Sequence, residues 1–297
     1  MNMPGPQLLP IREVARLTGV TAVTLRAWER RYGLIQPHRT PKGHRLYTPD
    51  NLEQIHTIVA WLGRGVAVGQ VRELLSRPSV PCAPDDLPWT DWREQLLSAL
   101  LAFDSDQADR IYNTAMTTYP LQLTCSRLLD PAISGLQLRW TGQFGDELEQ
   151  AFACTWLRSR LAARVYQNNC LQPGQALLVC NLSSDARQPG MWLLAAMLSH
   201  SGHRIELLDW CVPAAELGLI SERRGLHGLV LYGSQALTSE QLRRELPTFM
   251  QQTSLPVYLA GPASLIHHRE VQELGIEPVP DAPCSAYSRI LQDFRSL

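Results

Sequence analysis

The stretch Thr21-Ala-Val-Thr-Leu-Arg-Ala-Trp-Glu-Arg-Arg-Tyr-Gly-Leu-Ile-Gln-Pro37, with Arg39-Thr-Pro-Lys-Gly-His-Arg-Leu-Tyr47 just after it, decides how the head of this chain folds. Thr21 suits a helix N-cap, because its hydroxyl can accept one of the orphan amides of the first turn. The run after it places Ala22, Val23 and Thr24 at the leading end of a helix and Arg26, Arg30 and Arg31 further along. Pro41-Lys-Gly43 predicts a tight turn, so Arg39, Lys42, His44 and Arg45 stand on a β-hairpin closed by Tyr47. Cations at fixed spacing grip phosphates, and a helix end that enters a groove reads base edges. The expected contacts to double-stranded DNA are Thr21, Ala22 and Thr24 at the helix start. Arg26, Trp28, Arg30 and Arg31 follow along the helix, with Arg39, Lys42, His44, Arg45 and Tyr47 from the hairpin.

Working outward, residues 11–17 predict a first short helix with Val14, Ala15 and Leu17 turned inward, and Thr18-Gly-Val20 is the turn between the two helices. A third helix begins near Thr48-Pro-Asp50, with Thr48 or Asp50 as cap and Leu52, Ile55, Ile58, Val59 and Leu62 as its apolar positions. A fourth, short helix is expected over 68–75. The charge supports a division at this point. Residues 1–77 carry a net +6 and the remainder a net −7, so only the head is suited to a polyanion.

Four prolines between Ser76 and Pro88, with no periodic apolar pattern, predict an extended linker over 78–88. From Trp89 to about Cys170 the pattern is helical. Asp91 and Glu94 are spaced as a capping box ahead of Leu96, Leu97, Leu100 and Leu101. A second stripe holds Ala108, Ile111, Tyr112, Ala115 and Met116, and further helices are expected over 121–140 and 146–168. Four helices with short breaks predict a bundle over 89–170. From Ala176 the period changes to short apolar runs, 176–180, 205–208, 229–232, 257–260 and one near Pro278, each followed by a helical segment. That alternation predicts a doubly wound parallel α/β sheet over 171–297. The chain as a whole is read as mixed and multi-domain.

The seven cysteines stand singly with no Cys-x-x-Cys, which predicts reduced thiols and neither a zinc site nor a disulfide framework. No Ser-His-Asp order, phosphate loop or paired carboxylates in a defined context is present, so no catalytic residue is expected. No apolar run reaches the roughly 18 residues that span a bilayer, and the N-terminus lacks a signal-peptide pattern. A cytoplasmic, nucleoid-associated protein without membrane contact is expected.

The head resembles the winged helix-turn-helix of the MerR family of transcription regulators. The residues that carry the resemblance are Thr24-Leu-Arg-x-Trp-Glu-Arg-x-Tyr-Gly-Leu-Ile-x-Pro37, Arg39, Gly43-His-Arg-Leu-Tyr47 and the tail from Ile55 to Leu75. Trp28 stands where many members have Tyr. The resemblance implies a dimer on an inverted-repeat promoter that distorts the DNA so that RNA polymerase's two elements align. The order of head, bundle and sheet is similar, over nearly the whole chain, to the cobalamin-dependent light-sensing repressors of the CarH and LitR group. Those carry Asp-x-His-x-x-Gly after the first sheet strand, with the histidine on cobalt, and here the segment reads Asp185-Ala-Arg187-Gln-Pro-Gly190. Arginine stays protonated and offers no lone pair. Ser234 and Gly261 match later cofactor-loop positions in part. The family's Trp, then nine residues, then Glu-His reads here as Trp140 with Gln150 and Ala151. The cofactor site is therefore expected to be degenerate and cobalamin absent.

Two readings of Arg187 stand: a pair with Asp185, or an anion site beside the helix that Gly190 opens. Trp140, Trp156 and Trp192 are either core or pocket residues. The leading functional reading is a regulator whose sensor-like C-terminal domain answers a partner protein or a non-cobalamin ligand. Related branches imply light-response or biofilm and curli-type regulation, with a photoreceptor or a cyclic-di-GMP enzyme as partner. The assembly is a homodimer, with a tetramer as the further option. The alternatives are a true adenosylcobalamin-dependent light-sensing repressor, a cobalamin-dependent enzyme module and a signal-free DNA-bending protein.

Overall fold

The computed structural model describes residues 8–63, 66–69, 71–72, 87–185, 187–223 and 225–295. They fall into two compact units, Met1–Gln143 and Phe144–Leu297.

In the first unit, strand β1 (Leu9–Pro10) leads into helix α1 (Ile11–Thr18). Gly19 then closes α1 in the left-handed conformation at φ 68°. Helix α2 (Ala22–Ala27) is capped by Thr21, whose Oγ1 accepts from the Thr24 amide at 3.0 Å. It runs on through a wider π-helical turn, Trp28–Tyr32. Strands β2 (His38–Arg39) and β3 (Arg45–Tyr47) form the hairpin, and β3 also pairs antiparallel with β1, which the sequence pattern did not announce. Helix α3 (Pro49–Gly63) opens on a reciprocal cap: the Asn51 amide donates to Thr48 Oγ1 and the Thr48 amide to Asn51 Oδ1, both at 3.2 Å. Thr48, not Asp50, is therefore the cap. Val14, Leu25, Trp28, Tyr47, Ile55, Ile58 and Leu62 close the core. Leu17, expected inside, is exposed.

Helix α4 (Leu87–Leu101) starts four residues ahead of Asp91, with Pro88 in its first turn. Asp91 and Glu94 consequently lie inside the helix, and the capping box expected of them does not form. Residues 78–86 of the expected linker, and residues 70 and 73–75 of the expected fourth helix, lie outside the described residues. Helix α5 (Ser105–Thr118) is capped by Asp104, which accepts from the Gln107 amide at 2.8 Å. Helix α6 (Leu121–Thr124), a π-helical turn (Cys125–Leu129) and helix α7 (Asp130–Arg139) complete the unit.

Helix α8 (Asp146–Asn169), expected to be the fourth helix of the bundle over 89–170, belongs to the second unit. Its stripe Ala153, Trp156, Leu157, Leu161 and Val165 is buried there. Asn168 Nδ2 donates to Ser199 Oγ at 2.9 Å and Asn169 Nδ2 to the Ile205 carbonyl at 2.7 Å. An apolar stripe states that a helix has a buried face but not what covers it.

The sheet of the second unit is wholly parallel. Its strands are β4 (Ala176–Asn181), β5 (Arg204–Leu208), β6 (Leu226–Tyr232), β7 (Val257–Ala260) and β8 (Glu277–Pro278), in the order β5-β4-β6-β7-β8. Every residue of β4 is buried, as expected where both faces are covered. Helix α9 (Pro189–His200) follows β4. A 3-10 turn (Ala214–Glu216) and α10 (Leu217–Arg223) follow β5. A π-helical turn (Gln241–Glu245) and α11 (Leu246–Gln252) follow β6. Helices α12 (Pro262–Ile266) and α13 (His268–Glu273) follow β7, and α14 (Pro283–Arg295) ends the unit. Leu178, Cys180, Leu229, Leu231 and Leu259 pack with Leu217, Leu246 and Phe249 in one core layer.

At the amino edge of the sheet, His203 Nδ1 and His227 Nε2 stand 3.1 Å apart, with Phe294 against both rings. Burial, with repulsion from His227, pushes His203 down to about 4. His227 is also lowered, by burial against the opposing hydrogen bonds of Gln175 and Ala176. The folded pair therefore stays neutral where the unfolded chain, near 6.5, takes up protons. The pair is expected to leave stability unchanged well above pH 6.5 and to lower it below that pH by up to about 1.4 kcal/mol per pH unit for each proton that only the unfolded chain binds. Urea unfolding of the wild type and His203→Gln checks this, the variant having the shallower decline. Equal declines would remove His203 as the cause.

Candidate nucleic-acid interface

Helix α2 and the π-helical turn that continues it have two faces. Val23, Arg26 and Arg30 are exposed, while Thr24, Leu25 and Trp28 are fully buried. Two expected DNA contacts are thereby corrected. Trp28 Nε1 donates to the Thr118 carbonyl at 2.9 Å, and Thr24 Oγ1 lies 2.7 Å from Thr21 Oγ1 and 3.4 Å from the Met116 carbonyl. The face that carries Thr24 and Trp28, four residues apart on one side of the helix, is covered by α5 of the same unit. Tyr47 is corrected as well: it is fully buried and its hydroxyl lacks a hydrogen-bond partner among the described residues. Burial, with the Glu29 charge, pushes that hydroxyl up to about 12. Thr21 is half-buried and caps the helix, and Ala22 is half-buried beside it.

The cations expected to meet phosphate are at the surface. Arg26, Arg30, Arg31, Arg39, Lys42 and His44 are exposed and Arg45 is half-buried. Arg26, Arg45 and His44 line one cavity of about 240 Å³, floored by Pro10, Ile11 and Leu46. Sequence reasoning passed over the residue that sets this geometry. Glu29 Oε1 accepts from Arg39 Nη2 at 2.7 Å, and its Oε2 pairs with Arg45 Nε. One carboxylate of the π-helical turn thus holds two arginines of the hairpin. Burial acts to raise the Glu29 carboxyl, but the hydrogen bonds from Arg45 and Arg39 outweigh it, and the net shift is downward. The available signal was a lone carboxylate inside Arg26-Ala-Trp-Glu-Arg-Arg31.

At the carboxyl edge of the sheet, Asn181 organises the loops. It is fully buried; its Nδ2 donates to the Asp185 and Asp209 carbonyls at 3.0 and 3.1 Å, and its Oδ1 accepts from the Ser183 amide at 2.8 Å. Arg187 lies beside it. Its Nε donates to Asp185 Oδ1 at 3.0 Å, and its Nη1 donates to Glu147 Oε2 at 2.7 Å and Gln150 Oε1 at 2.9 Å. Hydrogen bonds to these two carboxylates raise its pKa further. Gln188 Nε2 links the Asp185 carbonyl to Ser234 Oγ, at 2.7 and 2.9 Å. The structure thus brings Gln150, Asp185, Arg187 and Ser234 into one network. Ala151 is exposed outside it, and Trp140 lies in the first unit. Gly190 and Gly261 both back onto Tyr232: a Cβ at 190 would stand 2.1 Å from the Tyr232 hydroxyl, and one at 261 would stand 3.0 Å from its ring. Trp156 and Trp192 are buried, as core residues are.

Residues 9–77 match the family model described as MerR HTH family regulatory protein. The chain is 26% identical over 283 residues to the HTH-type transcriptional repressor CarH of Myxococcus xanthus, across 90% of this chain and 93% of that protein. It is 37% identical over 130 residues to the HTH-type transcriptional regulator MlrA of Escherichia coli (strain K12), across 44% of this chain and 52% of that one. A solved cobalamin-binding protein from Desulfitobacterium hafniense DCB-2 aligns at 13% identity with a TM-score of 0.38, over 69% of this chain and 98% of its own.

Proposed function

We propose that this chain, whose residues 9–77 match the MerR HTH regulatory family and which is similar along most of its length to a transcriptional repressor, binds an inverted-repeat promoter site as a homodimer. It distorts the DNA there for RNA polymerase, and its C-terminal unit receives the signal. The observation that carries this reading is the exposed Arg26 beside His44 and Arg45 of the hairpin, with Arg30 and Lys42 also at the surface. Arg26 and Arg30 have no ion-pair partner among the described residues, so their charge is available to phosphate. Arg39 and Arg45 act differently, since Glu29 already balances part of their charge and fixes the angle of the hairpin.

Removing one cation that neutralises a phosphate flattens the dependence of log K on log salt by about 0.9. Arg26→Ala is expected to show that flattening on a duplex of random sequence, read by fluorescence anisotropy across a salt series. An unchanged slope would remove Arg26 from the interface.

For the signal, we infer a partner protein or a ligand other than cobalamin, with light-response or biofilm-type output as the candidate settings. The cofactor of cobalamin-binding domains does not fit the residues here. The ligand position is a guanidinium without a lone pair, held by Asp185, Glu147 and Gln150. Tyr232 fills the space between Gly190 and Gly261. The end-to-end match to a repressor favours a second reading, a true adenosylcobalamin-dependent repressor. Titration of the full chain with adenosylcobalamin in the dark separates the two. An unchanged visible spectrum is expected, and a saturable change would establish the second reading.

A further inference from the structure

The carboxyl edge of the sheet has an opening away from the corner held by Arg187. A cavity of about 310 Å³ lies between the loops that leave β4, β5 and β6 and the start of the π-helical turn Gln241–Glu245. Neither Arg187, Gly190 nor Tyr232 lines it. It sits where strand order reverses, since β4 is flanked by β5 on one side and β6 on the other. Crossovers that depart to opposite sides at such a point leave a crevice, the usual place for a ligand in a doubly wound sheet.

The walls are held by the fold. The Thr238 amide donates to Gln241 Oε1 at 2.8 Å and the Gln241 amide to Thr238 Oγ1 at 3.1 Å, while Gln241 Nε2 reaches the Leu182 carbonyl at 2.8 Å. Val212 and Leu237 supply apolar surface and Ser184 a hydroxyl. Glu245 is the one acidic side chain among the described lining residues, which include no lysine, arginine or histidine. Its Oε2 accepts from the Ala214 amide at 2.9 Å, which fixes the carboxylate in place, and Oε1 has no hydrogen bond among the described residues. The Cys211 thiol forms part of the wall; burial raises its pKa, and the Glu245 charge adds to the rise, so the field of the carboxylate crosses the cavity.

We propose that this cavity is the ligand site of the sheet unit and takes a small organic cation, its N–H donors on Glu245 and its apolar body on Val212 and Leu237. A fixed carboxylate without a compensating cation repels phosphate and carboxylate ligands, so nucleotides are excluded here. The proposal rests on the reading that the C-terminal unit receives the signal, and it names the chemistry of that signal.

Benzamidine, benzamide and benzoate are near-isosteric probes that are cationic, neutral and anionic. Each is added to the full chain while iodoacetamide alkylation of Cys211 is followed by mass spectrometry, with Cys170, also exposed, as the internal control. Benzamidine is expected to slow Cys211 alkylation several-fold and leave Cys170 unchanged, while benzoate has no effect. Glu245→Gln keeps an acceptor for the Ala214 amide and is expected to raise the benzamidine concentration needed by about tenfold, with benzamide unaffected. Absence of protection by benzamidine, equal protection by benzoate, or equal protection in Glu245→Gln would overturn the proposal. DNA affinity measured with and without benzamidine tests the other reading separately: protection of Cys211 with unchanged DNA binding would leave the site standing and remove its regulatory role.

Discussion

Trp28→Ala is expected to cost the N-terminal unit about 3–5 kcal/mol of unfolding free energy, the range for removing a large aromatic from a closed core. Trp28 is fully buried, and its indole N–H satisfies the carbonyl of Thr118 at the last turn of α5. The last carbonyls of a helix have no intrahelical donor, so this bond meets a need that α5 cannot meet itself. Truncation removes the apolar volume and leaves that carbonyl unpaired in one step. Trp28→Phe keeps most of the volume and is expected to cost only about 1–2 kcal/mol, the value of the hydrogen bond with its buried acceptor. Urea unfolding of the full chain followed by far-ultraviolet circular dichroism separates the two. Equal losses in both variants would mean that the hydrogen bond, not the volume, dominates, and no loss in either would contradict the docking of α2 on α5.

Gly261→Ala is expected to destabilise the second unit by about 2–4 kcal/mol. The residue sits at φ 79° and ψ −178°, a region open to glycine and strained for any other residue. A Cβ there would also stand 2.7 Å from the Gly233 carbonyl oxygen, a backbone atom that cannot swing away. Gly43, at φ 81° in the hairpin turn, has open space around its missing Cβ. Gly43→Ala should therefore cost about 1 kcal/mol, from conformation alone. Thermal unfolding of the two variants measures the difference. Equal shifts would show that the close approach at Gly261 relaxes freely. A large effect at Gly261 would give that glycine a structural reason that needs no cofactor.

The strand over 257–260 was legible to the residue, and the winged head was legible in its order. Periodicity reports the type of each element, because helices and strands return a side chain to the same face at different intervals. Turn chemistry did the same for Gly43, and the cap for Thr21. The charge division between head and body was likewise present in the sequence.

Contacts between distant residues were not legible. Thr24 and Trp28 read as groove-facing side chains, and their partners, Met116 and Thr118, stand about ninety residues away in sequence. Glu29 carried no expectation in the sequence, yet it holds Arg39 and Arg45 together. Helix α8 carried a stripe that suited a bundle and was buried against the sheet unit instead. Arg187 could be read as a free anion site until Glu147 and Gln150 were found on its guanidinium. The sequence by itself determined the elements and their order, since those depend on local period, capping and turn residues. Only the tertiary structure decided which face met which partner, because burial is written in the sequence as a demand for cover and not as the identity of what provides it.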